Sequence, residues 1–172
     1  RAGAAAISAV DIALWDIKAK ALGVPLFELL GGKVRDYVVC YPHIVGDTPE
    51  ALAAAAKSKV ADGWKFVRFN VAERGLTYEP HRSVQDCIEQ FAAIREAVGP
   101  DVEMIVDVHT RLDPSASITL CRGLEPYRPF FVEDPVRCEL PAALGKVAEA
   151  TRVPIGAGEQ YGSKWEFREA IE

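Results

Sequence analysis

The chain has 172 residues, of which 49% are hydrophobic and 26% charged, as in a folded protein with its own core. Its net charge is −5 and its Lys and Arg residues form no cluster, so the sequence lacks the basic surface that nucleic-acid binding requires. No segment has the roughly 18 uncharged apolar residues of a membrane span. The four cysteines form no CxxC pair, which argues against a zinc site or disulfide framework and predicts reduced thiols in the cytoplasm.

The first predicted element is a helix that ends at Gly23 and Pro25. Apolar residues recur at alternating steps of three and four and form one stripe: Ile7, Val10, Leu14, Ile17 and Ala21. A short second helical turn follows from Pro25 to Leu30 and stops at a pair of glycines.

The rest of the chain alternates between strand and helix. The predicted strands cover residues 37–44, 66–70, 102–109, 130–133 and 153–159. The predicted helices cover residues 49–61, 83–98, 115–124 and 141–150, and another begins at Ser163. Five βα units in series predict a parallel sheet whose faces are covered by helices.

Such a sheet either stays open and doubly wound or closes into a TIM-type barrel. An open sheet binds ligands where its strand order reverses, whereas a barrel collects functional residues from many strand ends on one face. Functional-looking side chains end at least four successive strands here, which favours the barrel. Because five strands cannot close the usual eight-stranded cylinder, we expect residues 1–172 to be a partial barrel domain, with roughly three more βα units after Glu172.

Three carboxylates follow these strands at equal intervals of 26 residues: Asp107, Glu133 and Glu159. One βα unit is about this long, so each carboxylate is predicted to take the same place on successive strands, which lie about 4.8 Å apart. All three are oxygen ligands without a Cys or His at matching spacing. This chemistry predicts a Mg²⁺ site, and the alternative is three unrelated acids paired with nearby bases.

Other polar residues follow the same logic. His109 lies two residues after Asp107, so strand alternation points it towards the same side, where it would serve as a general acid or base or only orient a carboxylate. Arg68 and Asn70 share one face of the second strand. A buried Arg needs a partner, which is either an anionic substrate or a core acid.

Two residues outside these strands are further candidates. His43 ends the first predicted strand and is a candidate substrate-binding residue or a structural loop His. Tyr78 lies in the loop after the second strand. If Tyr78 folded over Arg68, the cation would lower the phenol pKa and make Tyr78 a usable base; an exposed loop position is the alternative.

These motifs together resemble the enolase superfamily, mandelate racemase subgroup. The start of the barrel is similar in residues 8–20, in Gly23-Val24-Pro25 and in residues 29–33. The three metal-ligand motifs are similar in Asp107-Val108-His109, Val132-Glu133-Asp134-Pro135 and Gly158-Glu159-Gln160. The likeness covers essentially the whole chain and implies a TIM-like (β/α)7β barrel, with the N-terminal capping domain and the later barrel strands absent.

Within this subgroup, the Asp-x-His motif resembles the acid-sugar dehydratases that act on galactonate and mannonate. Tyr41-Pro42-His43 resembles a mannonate-enzyme motif whose His contacts substrate, and Arg68-Phe69-Asn70 combines the patterns of the two groups. The resemblance implies Mg²⁺-dependent loss of water from a sugar acid through α-proton abstraction and an ene-diolate, giving a 2-keto-3-deoxy acid. His109 would protonate the leaving hydroxyl, and Tyr78 assisted by Arg68, or a His beyond Glu172, would be the base.

Three other hypotheses remain at this point. The same metal site would also serve a racemase or epimerase of a 2-hydroxy acid, although the chain lacks the Lys-x-Lys motif of many racemase-type members. A barrel that binds sugar acids without turnover is a second alternative, and an open flavodoxin-like sheet is the third. We expect a small-molecule substrate, no nucleic-acid or membrane partner and, from the resemblance, a homo-oligomer.

Overall fold

The computed structural model describes residues 2–71 and 78–172. In this part of the chain, four parallel strands form one sheet in the order in which they occur along the sequence. They are Phe66–Asn70 (β1), Glu103–Asp107 (β2), Phe131–Glu133 (β3) and Ile155–Gly156 (β4). An open doubly wound sheet reverses its strand order at a switch point, so the sequential order is that of a barrel segment.

Helices connect the strands and cover one face of the sheet. They are Ala2–Leu22 (α1), Leu26–Leu29 (α2), Pro49–Ala61 (α3), Pro80–Val98 (α4), Pro114–Leu124 (α5), Pro141–Glu149 (α6) and Lys164–Ile171 (α7), and a 3₁₀ turn spans Glu125–Tyr127. Helix α4 begins one turn earlier than predicted because Pro80 occupies its first turn, where a missing N–H costs nothing. The predicted α3 and β1 are confirmed residue for residue.

The core lies between the sheet and helices α3 to α6. Val67 and Phe69 of β1 and Val106 of β2 point into it, as strand alternation predicts. From the helices they meet fully buried side chains that include Phe91, Ile94, Leu120 and Val147. The other face of the strands carries Arg68, Ile105 and Asp107, all buried, so that face holds the charges.

The predicted strand over residues 37–44 is wrong in extent. The structure contains only a single parallel bridge between His43 and Arg68, in which the Ile44 N–H donates to the Arg68 carbonyl over 2.8 Å. Pro42 has no N–H for a ladder, and the preceding Tyr37 and Val38 are exposed and pair with no strand of residues 2–71 and 78–172.

Strand β4 is also shorter than the predicted 153–159. Pro154 removes a backbone donor at its start, and at its end Gly158 has a φ of 137°, which is closed to most other residues. A Cβ at Gly156 would lie 2.9 Å from the Phe131 ring, so close packing against β3 requires glycine there.

Helix α1 forms as predicted, but its apolar stripe is exposed. Ile7, Val10, Leu14 and Ile17 are each 59–73% exposed, and within the helix Ala19 is the buried residue. Apolar residues also occur on its other sides, as Ile12 does, which is typical of a helix surrounded by protein. Of the helices in the described residues, none is long and apolar enough to cross a membrane.

Candidate active site

Acidic side chains gather where the parallel strands end. Asn70, Asp107, Glu133 and Gly156 stand side by side in the strand register. Glu159 lies three residues further on, after the left-handed Gly158, and its side chain is 42% exposed, whereas that of Asp107 is fully buried. The equal spacing therefore places Asp107 and Glu133 at equivalent positions, but not Glu159, because β4 ends early.

Arg68 bridges the two carboxylates in register. Its guanidinium donates to Asp107 Oδ2 and, through Nε, to Glu133 Oε2 at 2.8 Å. Its side chain is only 8% exposed, so this is a buried ion pair. Of the two partners predicted for Arg68, the structure contains the core acid. The guanidinium also contacts the imidazole of His43, and since Arg is only a donor, His43 accepts in this contact.

Burial and neighbouring acids raise the pKa values of two residues of this cluster, Glu133 and Asp134. Burial raises the pKa of Glu133, and Asp107 and Glu159 add to the rise, while Arg68 opposes it. Asp134 follows Glu133 and is buried, and its Oδ2 atom finds no hydrogen-bond donor. Burial, together with the charges of Glu159, Asp107 and Glu133, raises the pKa of Asp134 to about 6. The cluster therefore holds more negative charge than Arg68 balances.

His109 reaches this cluster by a turn and not by strand alternation. The strand β2 ends at Asp107, and His109 has a φ of 57°. Its backbone N–H donates to Asp107 Oδ1 at 2.8 Å. The imidazole Nε2 lies 3.9 Å from Asp107 Oδ2 and 3.7 Å from Glu159 Oε1. The side chain is 42% exposed, so part of it is accessible to a ligand.

Tyr78 is not where a base assisted by Arg68 would be. Its hydroxyl donates to Asp113 Oδ2 at 2.9 Å. Burial, followed by this hydrogen bond, raises the phenol pKa, which is the direction opposite to the predicted one. The phenol lies beside a carboxylate instead of a guanidinium, so its pKa is raised and not lowered.

Sequence reasoning missed two residues at this edge. Asp134 belongs to the Glu-Asp-Pro motif, but the sequence pattern alone predicts no function for it. In the structure it is buried and has a φ of 40°, which is unusual for a residue other than glycine. Tyr41 lies two residues before His43; burial raises its pKa first, and Glu133, Asp107 and Glu159 also act on its phenol. Tyr41 and His43 are two residues apart, so in an extended segment both side chains point to the same side, and this spacing could have predicted Tyr41 at the site.

The chemistry of the donors fits a divalent cation. Asp107, Glu133 and Glu159 offer only carboxylate oxygens, which suit Mg²⁺, and their mutual repulsion favours a cation. Among residues 2–71 and 78–172, however, no three acidic, His or Cys side chains surround a common point as metal ligands do. Arg68 lies between Asp107 and Glu133 and donates to one oxygen of each carboxylate, Asp107 Oδ2 and Glu133 Oε2.

Comparison with known proteins assigns the family. Residues 51–172 match the family described as enolase C-terminal domain-like. Residues 2–31 match the N-terminal domain of mandelate racemase / muconate lactonizing enzyme. The chain belongs to the mandelate racemase/muconate lactonizing enzyme family of the enolase superfamily. The predicted family and the predicted α/β class, with a parallel sheet that forms part of an enolase-type barrel, are thereby confirmed.

Similar members of this family include D-galactonate dehydratases. That of Ralstonia nicotianae is 41% identical over 167 residues, and that of Pectobacterium atrosepticum 39% identical over 166. These matches cover 97% and 96% of this chain but 44% of each relative, so the chain spans less than half their length.

Solved structures agree with this assignment. A member of the enolase superfamily from Salmonella Typhimurium superposes with a TM-score of 0.81 at 34% identity, over 92% of this chain and 46% of that one. An enolase from Pantoea ananatis with bound D-gluconate and Mg superposes with a TM-score of 0.80 at 28% identity, over 94% of this chain and 47% of that one.

Proposed function

We propose that the intact protein is a hydro-lyase that removes water from a sugar acid, an aldonate, in a Mg²⁺-dependent reaction that gives a 2-keto-3-deoxy acid. The observation that carries this proposal is the imidazole of His109 beside the carboxylates of Asp107 and Glu159, at 3.9 and 3.7 Å. The names of the D-galactonate dehydratases and the gluconate and Mg of the Pantoea ananatis structure support the choice of substrate class.

The acidic residues supply the metal site in this proposal. Asp107, Glu133 and Glu159 would hold Mg²⁺, which lowers the cost of removing the proton next to the substrate carboxylate. Their assignment as ligands stays a prediction. Asp134, whose pKa is raised to about 6, adds negative charge behind them.

The basic and polar residues of β1 would bind the anionic substrate. Arg68 brings a guanidinium to the edge where Asn70 is exposed, and His43 contacts that guanidinium. When Arg68 leaves the carboxylates, a substrate carboxylate or hydroxyl is the natural replacement partner, because a buried guanidinium requires an acceptor. Arg68 thereby exchanges one set of acceptors for another without becoming unpaired.

The two proton transfers fall to different groups. His109 has a partly exposed side chain and would protonate the 3-hydroxyl as it leaves as water. The base must take the α-proton, and Tyr78 is poorly suited to that role because its hydroxyl donates to Asp113 and its pKa is raised. Of the two bases that the family resemblance implies, we therefore favour a His beyond Glu172.

Screening the intact protein with Mg²⁺ against a library of sugar acids tests this function. The readout is 2-keto acid formation, and D-galactonate and D-gluconate are the first compounds to try. We expect turnover of at least one aldonate and none with EDTA. Exchange of the α-proton with D₂O without water loss would indicate a racemase or epimerase, and binding without either reaction a non-catalytic barrel.

Several other expectations stay predictions. They are the extent of the partial barrel domain over residues 1–172, a homo-oligomeric assembly, the absence of nucleic-acid and membrane partners, and a cytoplasmic location.

A further inference from the structure

The turn between β2 and α5 holds His109 in an uncommon backbone conformation. His109 and Thr110 are consecutive residues with positive φ, 57° and 60°. Neither is glycine, and Thr is β-branched, so this left-handed pair persists only if the surroundings fix it. The residues that fix this turn therefore also fix the position of the proposed acid.

Two contacts that fix the turn come from the acidic edge, the strand-end cluster of Asp107, Glu133, Asp134 and Glu159. The His109 N–H donates to the carboxylate of Asp107, and the Thr110 N–H donates to the Asp134 carbonyl at 2.9 Å. They join the turn to β2 and to the segment after β3. They do not restrain its far end, where α5 begins.

Two further contacts join the turn to the segment after β1. Arg111 Nη1 donates to the Val71 carbonyl at 2.6 Å, and the Tyr78 hydroxyl donates to Asp113 Oδ2 at 2.9 Å. Val71 and Tyr78 flank residues 72–77, which lie outside the described part of the chain. The turn is thus tied to a residue on each side of that segment.

Asp113 serves two partners with its two oxygens. Oδ1 accepts from the Ala116 N–H at 2.9 Å and caps α5, while Oδ2 accepts from Tyr78. The Ala116 hydrogen bond and then that of Tyr78 lower the Asp113 pKa, so the carboxylate is the form present near neutral pH. Helix α5, the turn and Tyr78 thereby share one carboxylate.

We propose that Tyr78 and Asp113, together with Arg111, are positioning residues that hold the His109 turn against the acidic edge. This inference rests on the proposed function for its catalytic meaning. In this role Tyr78 does not remove the substrate α-proton. Loss of its hydroxyl would loosen the turn and displace His109, the proposed acid, but would not affect the group that acts as the base.

Variants of the intact protein separate positioning from base catalysis. Tyr78→Phe removes the hydroxyl. Asp113→Ser keeps an N-cap but is too short to reach Tyr78, and Asp113→Asn keeps the cap and offers Tyr78 an amide N–H. Tyr37→Phe, at an exposed tyrosine, is the matched control.

We expect Tyr78→Phe and Asp113→Ser each to slow water loss by about 10- to 100-fold, with little change in KM. The double variant should be no slower than either single one, and Asp113→Asn should recover most of the rate. Exchange of the substrate α-proton with D₂O should continue in all of them, because that step does not use His109. Tyr37→Phe should match the wild type.

Two kinetic results would overturn the inference. If Tyr78→Phe abolishes α-proton exchange while Asp113→Ser leaves it normal, Tyr78 is the base. If exchange and water loss fall together in both variants, the contact only supports folding.

Amide hydrogen exchange of residues 109–113 tests, without any substrate, whether the Tyr78–Asp113 hydrogen bond stabilises the turn. We expect Thr110 and Arg111 to exchange faster in Tyr78→Phe and Asp113→Ser than in the wild type or in Tyr37→Phe. Unchanged exchange in both variants would overturn the inference. This measurement remains informative even if no sugar acid proves to be a substrate, so failure of the proposed function is separately visible.

Discussion

Two regions of the molecule depart from the usual distribution of residues in opposite ways. At the strand ends charges are buried: Asp107 is completely inaccessible and Arg68 is 6% exposed. In α1 and in the segment around Val38, large apolar side chains are exposed, Ile7 by 73% and Val38 by 73%. Buried charges require a counter-charge, and exposed apolar surface requires a packing partner. At the strand ends Arg68 supplies part of the counter-charge, whereas the large apolar side chains of α1 stay exposed among the described residues.

The largest effect should follow from removing the counter-charge at the strand ends. Arg68→Met leaves Asp107 and Glu133 without their guanidinium, and losing one partner of a buried ion pair costs about 3–5 kcal/mol of unfolding free energy. Denaturant unfolding of the intact protein in EDTA measures this loss. Arg168→Met removes an exposed pair with Glu172 and should cost less than about 1 kcal/mol. Equal stability of the two variants would contradict the buried pair.

A pH-dependent effect of intermediate size should arise at Asp134. Its pKa is raised to about 6, so its contribution to stability is complete below the unfolded-state pKa near 4 and is lost as the pH rises through 6. Asp134→Asn mimics the protonated form. In EDTA it should match the wild type at pH 4 and exceed its unfolding free energy by about 3 kcal/mol at pH 8.

Unfolding curves of both proteins at the two pH values check the Asp134 prediction. The exposed Asp36→Asn is the control. If Asp134→Asn has the same advantage over the wild type at pH 4 as at pH 8, the carboxyl does not titrate as described.

The smallest effect on folding should come from the apolar surface of α1. Ile7→Gln together with Leu14→Gln replaces two exposed apolar side chains and leaves the buried core unchanged. We expect the unmodified residues 1–172 to aggregate or stay molten when expressed alone, and the double variant to aggregate less. Light scattering compares the two. A soluble monomer of the unmodified chain with a sharp melt would contradict this part of the account.

The same two regions show how much the sequence could predict. Periodicity located α1 and α3 and the apolar residues of β1 well, because local geometry alone sets those patterns. The sequence pattern predicted a strand over residues 37–44, but a strand needs a neighbour, and within that range the structure forms a bridge at His43 alone. The residues of a segment do not by themselves determine whether another strand lies beside it.

For the candidate site, the register of Asp107 and Glu133 was predictable, since strand ends of a parallel sheet align. The positions of His109 and Tyr78 were not. His109 depends on a left-handed turn, and Tyr78 on which of two distant charges, Arg68 or Asp113, its loop meets. Tertiary contacts, and not the local sequence pattern, determine where these two side chains lie.

Replacing His109 by Asn tests the central claim most directly, that one group at the acidic edge donates the proton for water loss while another removes the α-proton. Asn resembles His in size and forms hydrogen bonds, but it is not an acid at neutral pH. In the intact protein with Mg²⁺ and its aldonate, dehydration should fall about 10²- to 10⁴-fold, while the α-proton still exchanges with D₂O. The control Tyr37→Phe, at an exposed position, should leave both rates unchanged. If exchange is lost together with dehydration in His109→Asn, His109 is the base and the assignment of roles is wrong.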